Sequence, residues 1–228
     1  MSVATTESFK VWAADNTAYG PVDAGRLVEW IQDERVFPDT FLQPQSDGRW
    51  RRAALVATLR EHFPSAPPPP EAGAADALRE LAVFSGLTDQ GFQQLAGLGE
   101  FYDTSPPKLV VTKGDPCDAV YFILSGELRV RLVVGVVDKA DRTLCKLGAG
   151  EFFGELGMFL QSKRTADVLA ETDSHLFKMS INAFQLIVRQ IPELASPILF
   201  NIGVTMARRI AEDNQRFYRE VTSQFLWA

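Results

Sequence analysis

The stretch EFFGELGMFLQSKRTADV, residues 151–168, puts a carboxylate, Glu155, directly after Gly154, and a guanidinium, Arg164, nine residues further on, followed by Thr165 and Ala166. A guanidinium suits a phosphate, which it holds through charge-assisted hydrogen bonds worth about 1.5–3 kcal/mol each. Backbone N–H groups of a short helix opening after Gly154 add further donors to an anion. Glu155 would repel a bare phosphate. Both groups make sense together only for a ligand with a hydroxyl donor close to its phosphate, and a ribose phosphate meets both demands. A Gly-Glu pair alone, or an isolated arginine, carries no such meaning; the information lies in the whole string at its spacing.

The surrounding sequence supplies elements that could hold these groups. DAVYFILSGELRVRLVVGVV alternates Leu128, Val130 and Leu132 with Arg129 and Arg131, the signature of a strand with one wet face. Gly114 with Asp115, Gly126, and Gly148 with Gly150 punctuate the block at turn-like intervals, and TADVLAETDSHLFKMS adds two strands around a Glu-Thr-Asp turn. These signals predict a small antiparallel jelly-roll barrel. Ahead of it, DALRELAVFSGLTDQGFQQLAGL reads as two short helices split by a Ser-Gly break; behind it, INAFQLIVRQ and a long helix from about Pro192 carry the chain onward. On the long helix, Leu199, Ile202, Met206, Ile210, Phe217 and Val221 recur at three- and four-residue steps, with Asp213 on the same stripe. A carboxylate in an apolar seam needs a partner, because an unpaired buried charge is costly.

FGELGMFLQSKRTA, residues 153–166, resembles the phosphate-binding cassette of the cyclic nucleotide-binding domain family, in which Phe-Gly-Glu-Leu is followed at fixed distance by an arginine and a small pair. The order of entry helices, barrel and C-terminal helix also matches, so the resemblance spans roughly residues 78–220. It implies a non-enzymatic sensor. Gly154 and Leu156 would offer backbone contacts with Phe153 beside them, Glu155 would take the ribose 2′-hydroxyl, Arg164 the cyclic phosphate, and Thr165 and Ala166 would contribute hydroxyl and amide donors. Lys163 stands where many members have proline. In the family a threonine after the cassette arginine can hydrogen-bond a syn guanine, and alignment of MARRIAEDN with the catabolite activators puts Asp213 and Asn214 where the helix meets the base. A carboxylate accepts from guanine N1–H and N2–H and finds no such pair on adenine, so cGMP is favoured over cAMP. Asp213 as a register-setting residue at a dimer seam is an equal alternative.

The Pro-rich EHFPSAPPPPEAGAA, residues 61–75, marks a spacer and a domain boundary. Expected units are residues 8–62, a linker at 63–75, and residues 76–228, an α+β organisation overall. In the first unit FKVWAA and TFLQPQ read as strands, DNTAYGP as a turn, VDAGRLVEWIQDE as a helix capped by Asp23, and RWRRAALVATLREHF as a strand or turn running into a closing helix. VWAADNTAYGPVDAGRLVEWIQDERVFPDTFLQPQSDGRWRRA is similar to bacterial GYF-type domains, which implies capture of proline-rich or other protein partners on an aromatic surface. Trp12, Tyr19 and Trp30 are the candidate peptide-binding residues, although Trp12, Trp30 and Trp50 also suit a small core. Pro67 to Pro70 form a candidate internal ligand.

Composition limits the remaining classes. The 228 residues are 46% hydrophobic and 23% charged, enough for a packed core, and the net charge of −6 argues against a polyanion-gripping protein. No helix-turn-helix follows the long helix, so no nucleic-acid partner is expected. His62 and His175 are the only histidines, and Cys117 and Cys145 have no partners at metal-ligand spacing; no metal and no catalysis are expected, and the thiols read as core or near-core. The start lacks a basic and apolar leader and no run approaches the ~18 residues of a membrane span, which points to the cytoplasm. The apolar stripe predicts a homodimer through the C-terminal helix. Alternatives to the mononucleotide sensor are an adaptor with a vestigial pocket and a cyclic di-GMP receptor.

Overall fold

Alternation of buried and exposed residues in SFKVW makes Ser8–Trp12 a strand, β1, with Phe9 and Val11 turned into a core and Lys10 outward. The computed structural model describes residues 7–66, 69–70, 73–134 and 140–225. β1 pairs with β2 (Ala18–Asp23) and with β3 (Phe41–Pro44), and β4 (Arg51–Arg52) closes a four-stranded antiparallel sheet of order β2-β1-β3-β4. Helix α1 (Ala24–Gln32) starts where the Asp23 carboxylate accepts from the Arg26 N–H at 2.8 Å, as expected of that cap.

Two local expectations fail. Tyr19, Gly20 and Pro21 lie in β2 rather than in a turn: the reversal is confined to the residues before Ala18, and Gly20 fits against β1, where a Cβ would lie 2.6 Å from the Phe9 carbonyl. The stretch after Trp50 forms short 3-10 turns at Ala53–Leu55 and Arg60–His62 instead of a closing helix. Val56 between them is extended and buried, which breaks the run.

Phe63 completes the first core beyond the expected edge of this unit, and Ala66 packs on it. Pro67 and Pro68 of the candidate internal ligand lie outside the described residues. Helices α2 (Ala74–Arg79) and α3 (Asp89–Leu98) then follow, separated by a 3-10 turn at Ala82–Phe84 and the left-handed Gly86.

The second unit contains two antiparallel four-stranded sheets. One, of order β10-β7-β12-β5, uses β5 (Glu100–Thr104), β7 (Ala119–Ser125), β10 (Phe152–Phe153) and β12 (Ser174–Ser180). The other, of order β6-β11-β8-β9, uses β6 (Leu109–Val111), β8 (Leu128–Val134), β9 (Ala140–Leu147) and β11 (Asp167–Ala170). β7 is buried on both faces: Ala119, Tyr121 and Ile123 join one core with Leu128, Val168 and Leu176, whereas Val120 and Phe122 join another with the helices. That double burial explains its unbroken apolar AVYFI.

Between β10 and β11 lies α4 (Glu155–Leu160). Helix α5 (Ile181–Gln190), capped by Ser180, and α6 (Pro192–Phe225) complete the chain as described. No helix of the described residues is long and apolar enough to cross a membrane.

Instead of standing apart on a stiff spacer, the two units share a core. Trp12, Phe41 and Trp50 cluster with residues of α3, α5 and the barrel's outer face. The Trp12 indole donates to Asn182 Oδ1 at 2.8 Å, and the buried Arg52 donates to Glu100 at 3.0 Å.

The expected stripe on α6 also divides. Ile202 is buried and Leu199 and Met206 pack on the same core, but Ile210 and Phe217 are exposed. The barrel-facing side continues through Arg209 instead, because 3.6 residues per turn carries the face of Ile202 to position 209 rather than 210.

Candidate functional site

The site is assembled where β10 turns into α4. Gly154 takes a left-handed conformation, φ +90°, so that the chain can leave β10 and begin the helix. A Cβ at this position would lie 2.4 Å from Arg164 Nη1 and 2.9 Å from the Ala119 carbonyl. Glycine is therefore required twice, for its dihedral and for the close approach of the guanidinium.

Arg164 is fixed from its backbone outward. Its N–H donates to Asp115 O at 2.9 Å and its carbonyl accepts from Gly114 N–H at 2.9 Å, so the β6–β7 turn clamps it on both sides. Its side chain is 4% exposed and Nη2 donates to Asp118 Oδ1 at 2.7 Å. Asp118 also faces Lys178 Nζ at 3.4 Å. Burial raises the Asp118 carboxyl, but the hydrogen bond from Arg164 and the charges of Lys178 and Arg164 outweigh it, and the net shift is downward. Arg164 Nη1 is buried and has no hydrogen-bond partner among the described residues. A desolvated cationic donor left unpaired is expensive, so this atom is arranged to meet an acceptor brought from outside.

Glu155 opens α4 and is 7% exposed. Its carboxylate accepts from Arg209 Nη1 at 3.2 Å, while Arg209 Nη2 donates to the Phe152 carbonyl at 2.8 Å and the guanidinium sits 4.8 Å over the Phe152 ring. Burial pushes the Glu155 carboxyl above its ordinary value despite the opposing charge of Arg209. Arg209 thus ties the middle of α6 to the cassette. The base of that helix is held separately, by Asn201 Nδ2 donating to Val83 O at 3.1 Å and Ser85 O at 3.0 Å.

The structure brings Phe153, Gly154, Glu155, Arg164 and Ala166 together. Phe153 stacks on Tyr121 with ring centroids 5.0 Å apart, Ala166 is buried, and Thr165 is exposed next to Arg164. Leu156 points to solvent. Asp213 and Asn214 do not join the group. Both are exposed on α6 beyond Arg209, and Asp213 has its partner on its own helix, Arg216, at 3.7 Å.

Arg209 and Asp118 were not among the residues expected from the sequence. A cation in phase with Ile202 and Met206 was the available signal for the first; Asp118 acts across 46 positions and left none. Of the thiols, Cys117 lies 3.4 Å from the Gly154 carbonyl and packs under Gly157, whereas Cys145 is exposed rather than near-core.

In the first unit, Trp12 is 2% exposed with its indole N–H taken by Asn182, which corrects its place on an open binding surface. Trp30 is half-buried beneath Arg35, and the exposed Tyr19 donates its hydroxyl to Asp15 at 2.6 Å.

The family model described as Cyclic nucleotide-binding domain matches residues 105–190, which include the whole cassette. The chain is 31% identical over 105 residues to the cyclic AMP receptor protein of Thermus thermophilus, covering 46% of each. It is 29% identical over 139 residues to Glutaminase 1 of Bradyrhizobium diazoefficiens, covering 61% of this chain and 22% of that protein. A solved cyclic nucleotide-binding domain from Methylobacillus flagellatus shares the fold with a TM-score of 0.56 at 22% identity, covering 64% of this chain and 82% of that one. The chain spans less than half of either curated relative. Residues 105–190 are a cyclic nucleotide-binding domain, and the sheet formed by β1–β4 lies outside the matched region.

Proposed function

We propose that this chain is a non-enzymatic cyclic mononucleotide sensor whose ligand controls a protein-interaction unit at its N-terminal end. The observation that carries the reading is Arg164: buried, clamped by Asp115 and Gly114, aimed by Asp118, and left with an unpaired Nη1 against Gly154. A cyclic phosphate oxygen accepts from Nη1 while Nη2 keeps Asp118. The neighbouring Glu155 accepts from the ribose 2′-hydroxyl. That hydroxyl arrives at a carboxylate already held by Arg209, so ligand binding changes what Arg209 can hold and shifts the balance of α6 positions.

Thr165, exposed beside Arg164, supports cGMP over cAMP. Asp213 lends no support to that preference while it faces solvent and Arg216.

On the free side of α6, Phe200, Val204, Ala207, Ala211, Asn214, Tyr218 and Val221 follow alternating steps of four and three, the seam of a paired coiled coil. Phe200, Val204 and Tyr218 are exposed, which supports a homodimer, with Asn214 rather than Asp213 as the polar residue that sets register. The exposed Tyr19 and half-buried Trp30 support a protein-binding surface on the N-terminal unit, whereas the burial of Trp12 and the place of Tyr19, Gly20 and Pro21 in β2 count against the GYF-type likeness.

Thermal unfolding with each nucleotide tests the sensor reading. A ligand at a hundred times its Kd stabilises by about 2.7 kcal/mol, so a clear rise in melting temperature is expected with cGMP, a smaller one with cAMP at equal concentration, and none with cyclic di-GMP. A rise with cyclic di-GMP alone would reassign the ligand, and no rise with any would leave an adaptor with a silent barrel.

A further inference from the structure

The aromatic face of the N-terminal unit forms one wall of a cleft of about 1330 Å3 whose other wall belongs to the barrel. Tyr19, Trp30 and Phe37 line the first wall, and Tyr19 and Phe37 are each about half exposed. Met158, Gln161 and Lys163, on the run that links Glu155 to Arg164, line the second, with Arg189 of α5 beside them. The volume exceeds the roughly 300–1,000 Å3 of pockets that take small molecules, and an extended chain segment fits it better.

Charge identifies that segment further. Arg35, Lys163 and Arg189 are exposed at the cleft, and Asp39 is the one carboxylate among its lining residues. None of the three cations is ion-paired among the described residues. A cleft lined by three cations and one carboxylate in a chain of net charge −6 is a local reversal of sign, which favours an acidic partner there.

We propose that the cleft between the two units docks an extended acidic segment of a partner protein, with an apolar side chain against Tyr19, Trp30 and Phe37 and carboxylates on Arg35, Lys163 and Arg189. The barrel wall is cassette, so movement of Met158 and Lys163 on nucleotide binding changes the cleft, and each ligand alters the affinity of the other by the same factor. This coupling rests on the sensor reading; the docking does not.

The test is fluorescence anisotropy of the full chain with a short fluorescein-labelled peptide of glutamates around one central Phe, and with a carboxylate-free proline-rich peptide alongside. Saturable binding of the acidic peptide is expected, weakened by salt and by about tenfold or more in Arg35→Glu/Arg189→Glu, with the fold of the variant checked by its melting curve and the same direction of change expected in Lys163→Gln. No binding of the acidic peptide, binding indifferent to the charge reversal, or preference for the proline-rich peptide would overturn the proposal. Saturating cGMP is expected to shift the peptide affinity in the wild type and not in Arg164→Ala. An unchanged affinity in protein that calorimetry shows to bind cGMP would overturn the coupling, whereas absence of cGMP binding in calorimetry counts against the sensor reading and leaves the peptide result standing.

Discussion

Replacing Arg209 by alanine removes the 3.2 Å contact to Glu155, the 2.8 Å bond to the Phe152 carbonyl and the stack on the Phe152 ring at once. Breaking a buried ion pair from one side costs about 3–5 kcal/mol. Here two features lower the figure: the Arg209 side chain is 28% exposed, and Glu155 can escape by taking a proton. We expect a loss of about 2–3 kcal/mol, intermediate between that limit and a single charge-assisted hydrogen bond. For a chain of this size the loss lowers the melting temperature by roughly 5–10 °C.

The pH dependence provides the sharper test. The Glu155 carboxyl already lies above its ordinary value in the folded chain, so the fold loses stability as pH rises from the ordinary glutamate value through the raised one. Without Arg209 the carboxyl rises further and the losing window extends upward. The deficit of Arg209→Ala is therefore largest near neutral pH and shrinks as pH falls and Glu155 is protonated in both proteins. Scanning calorimetry across pH, with Glu155→Gln and the double variant completing a cycle, measures it. A deficit independent of pH, or additive with that of Glu155→Gln, would refute the latch between α6 and the cassette.

Gly154→Ala forces a Cβ to within 2.4 Å of Arg164 Nη1 at a left-handed φ, so nucleotide binding is expected to be lost along with about 1–2 kcal/mol of stability; calorimetric titration and chemical denaturation report the two. Asp118→Asn frees Arg164 to turn away from the phosphate and is expected to weaken nucleotide binding several-fold. Because the Asp118 carboxyl is held below its ordinary value, the stability it adds is present above that value and lost as pH falls through the depressed one, so melting curves of variant and wild type should converge in acid. Phe200→Glu/Tyr218→Glu puts like charges on the free seam of α6 and is expected to give a monomer by analytical ultracentrifugation, with the melting of the barrel unchanged.

The cassette was legible because its chemistry is local: Gly154, Glu155 and Arg164 fall within one short run, and a left-handed glycine next to an acidic residue is a feature of the chain itself. The strand carrying Arg129 and Arg131 was legible for the same reason, although its expected wet face is half-buried, with both arginines paired to Asp141 and to Glu171 or Asp167. What could not be read is long-range or depends on phase. A shift of one residue separates Ile210, exposed, from Arg209, held on the cassette, and the apolar spacing of α6 is compatible with either until the barrel chooses the face. Asp118 reaches Arg164, and Trp12 reaches Asn182, across separations that no local pattern encodes. The Pro-rich run implied separation of the units, yet buried aromatic surface on Trp12, Phe41 and Trp50 is satisfied only by packing against the barrel.

Isothermal titration of the full chain with cGMP, cAMP and cyclic di-GMP, with Arg164→Ala alongside, addresses the ligand itself. One mononucleotide bound per chain is expected, with affinity lost in the variant by about 2–4 kcal/mol, the penalty for an unpaired buried phosphate. Equal binding by Arg164→Ala, or no heat with either mononucleotide in protein freed of co-purified nucleotide, would contradict the assignment of this arginine and of the sensor built around it.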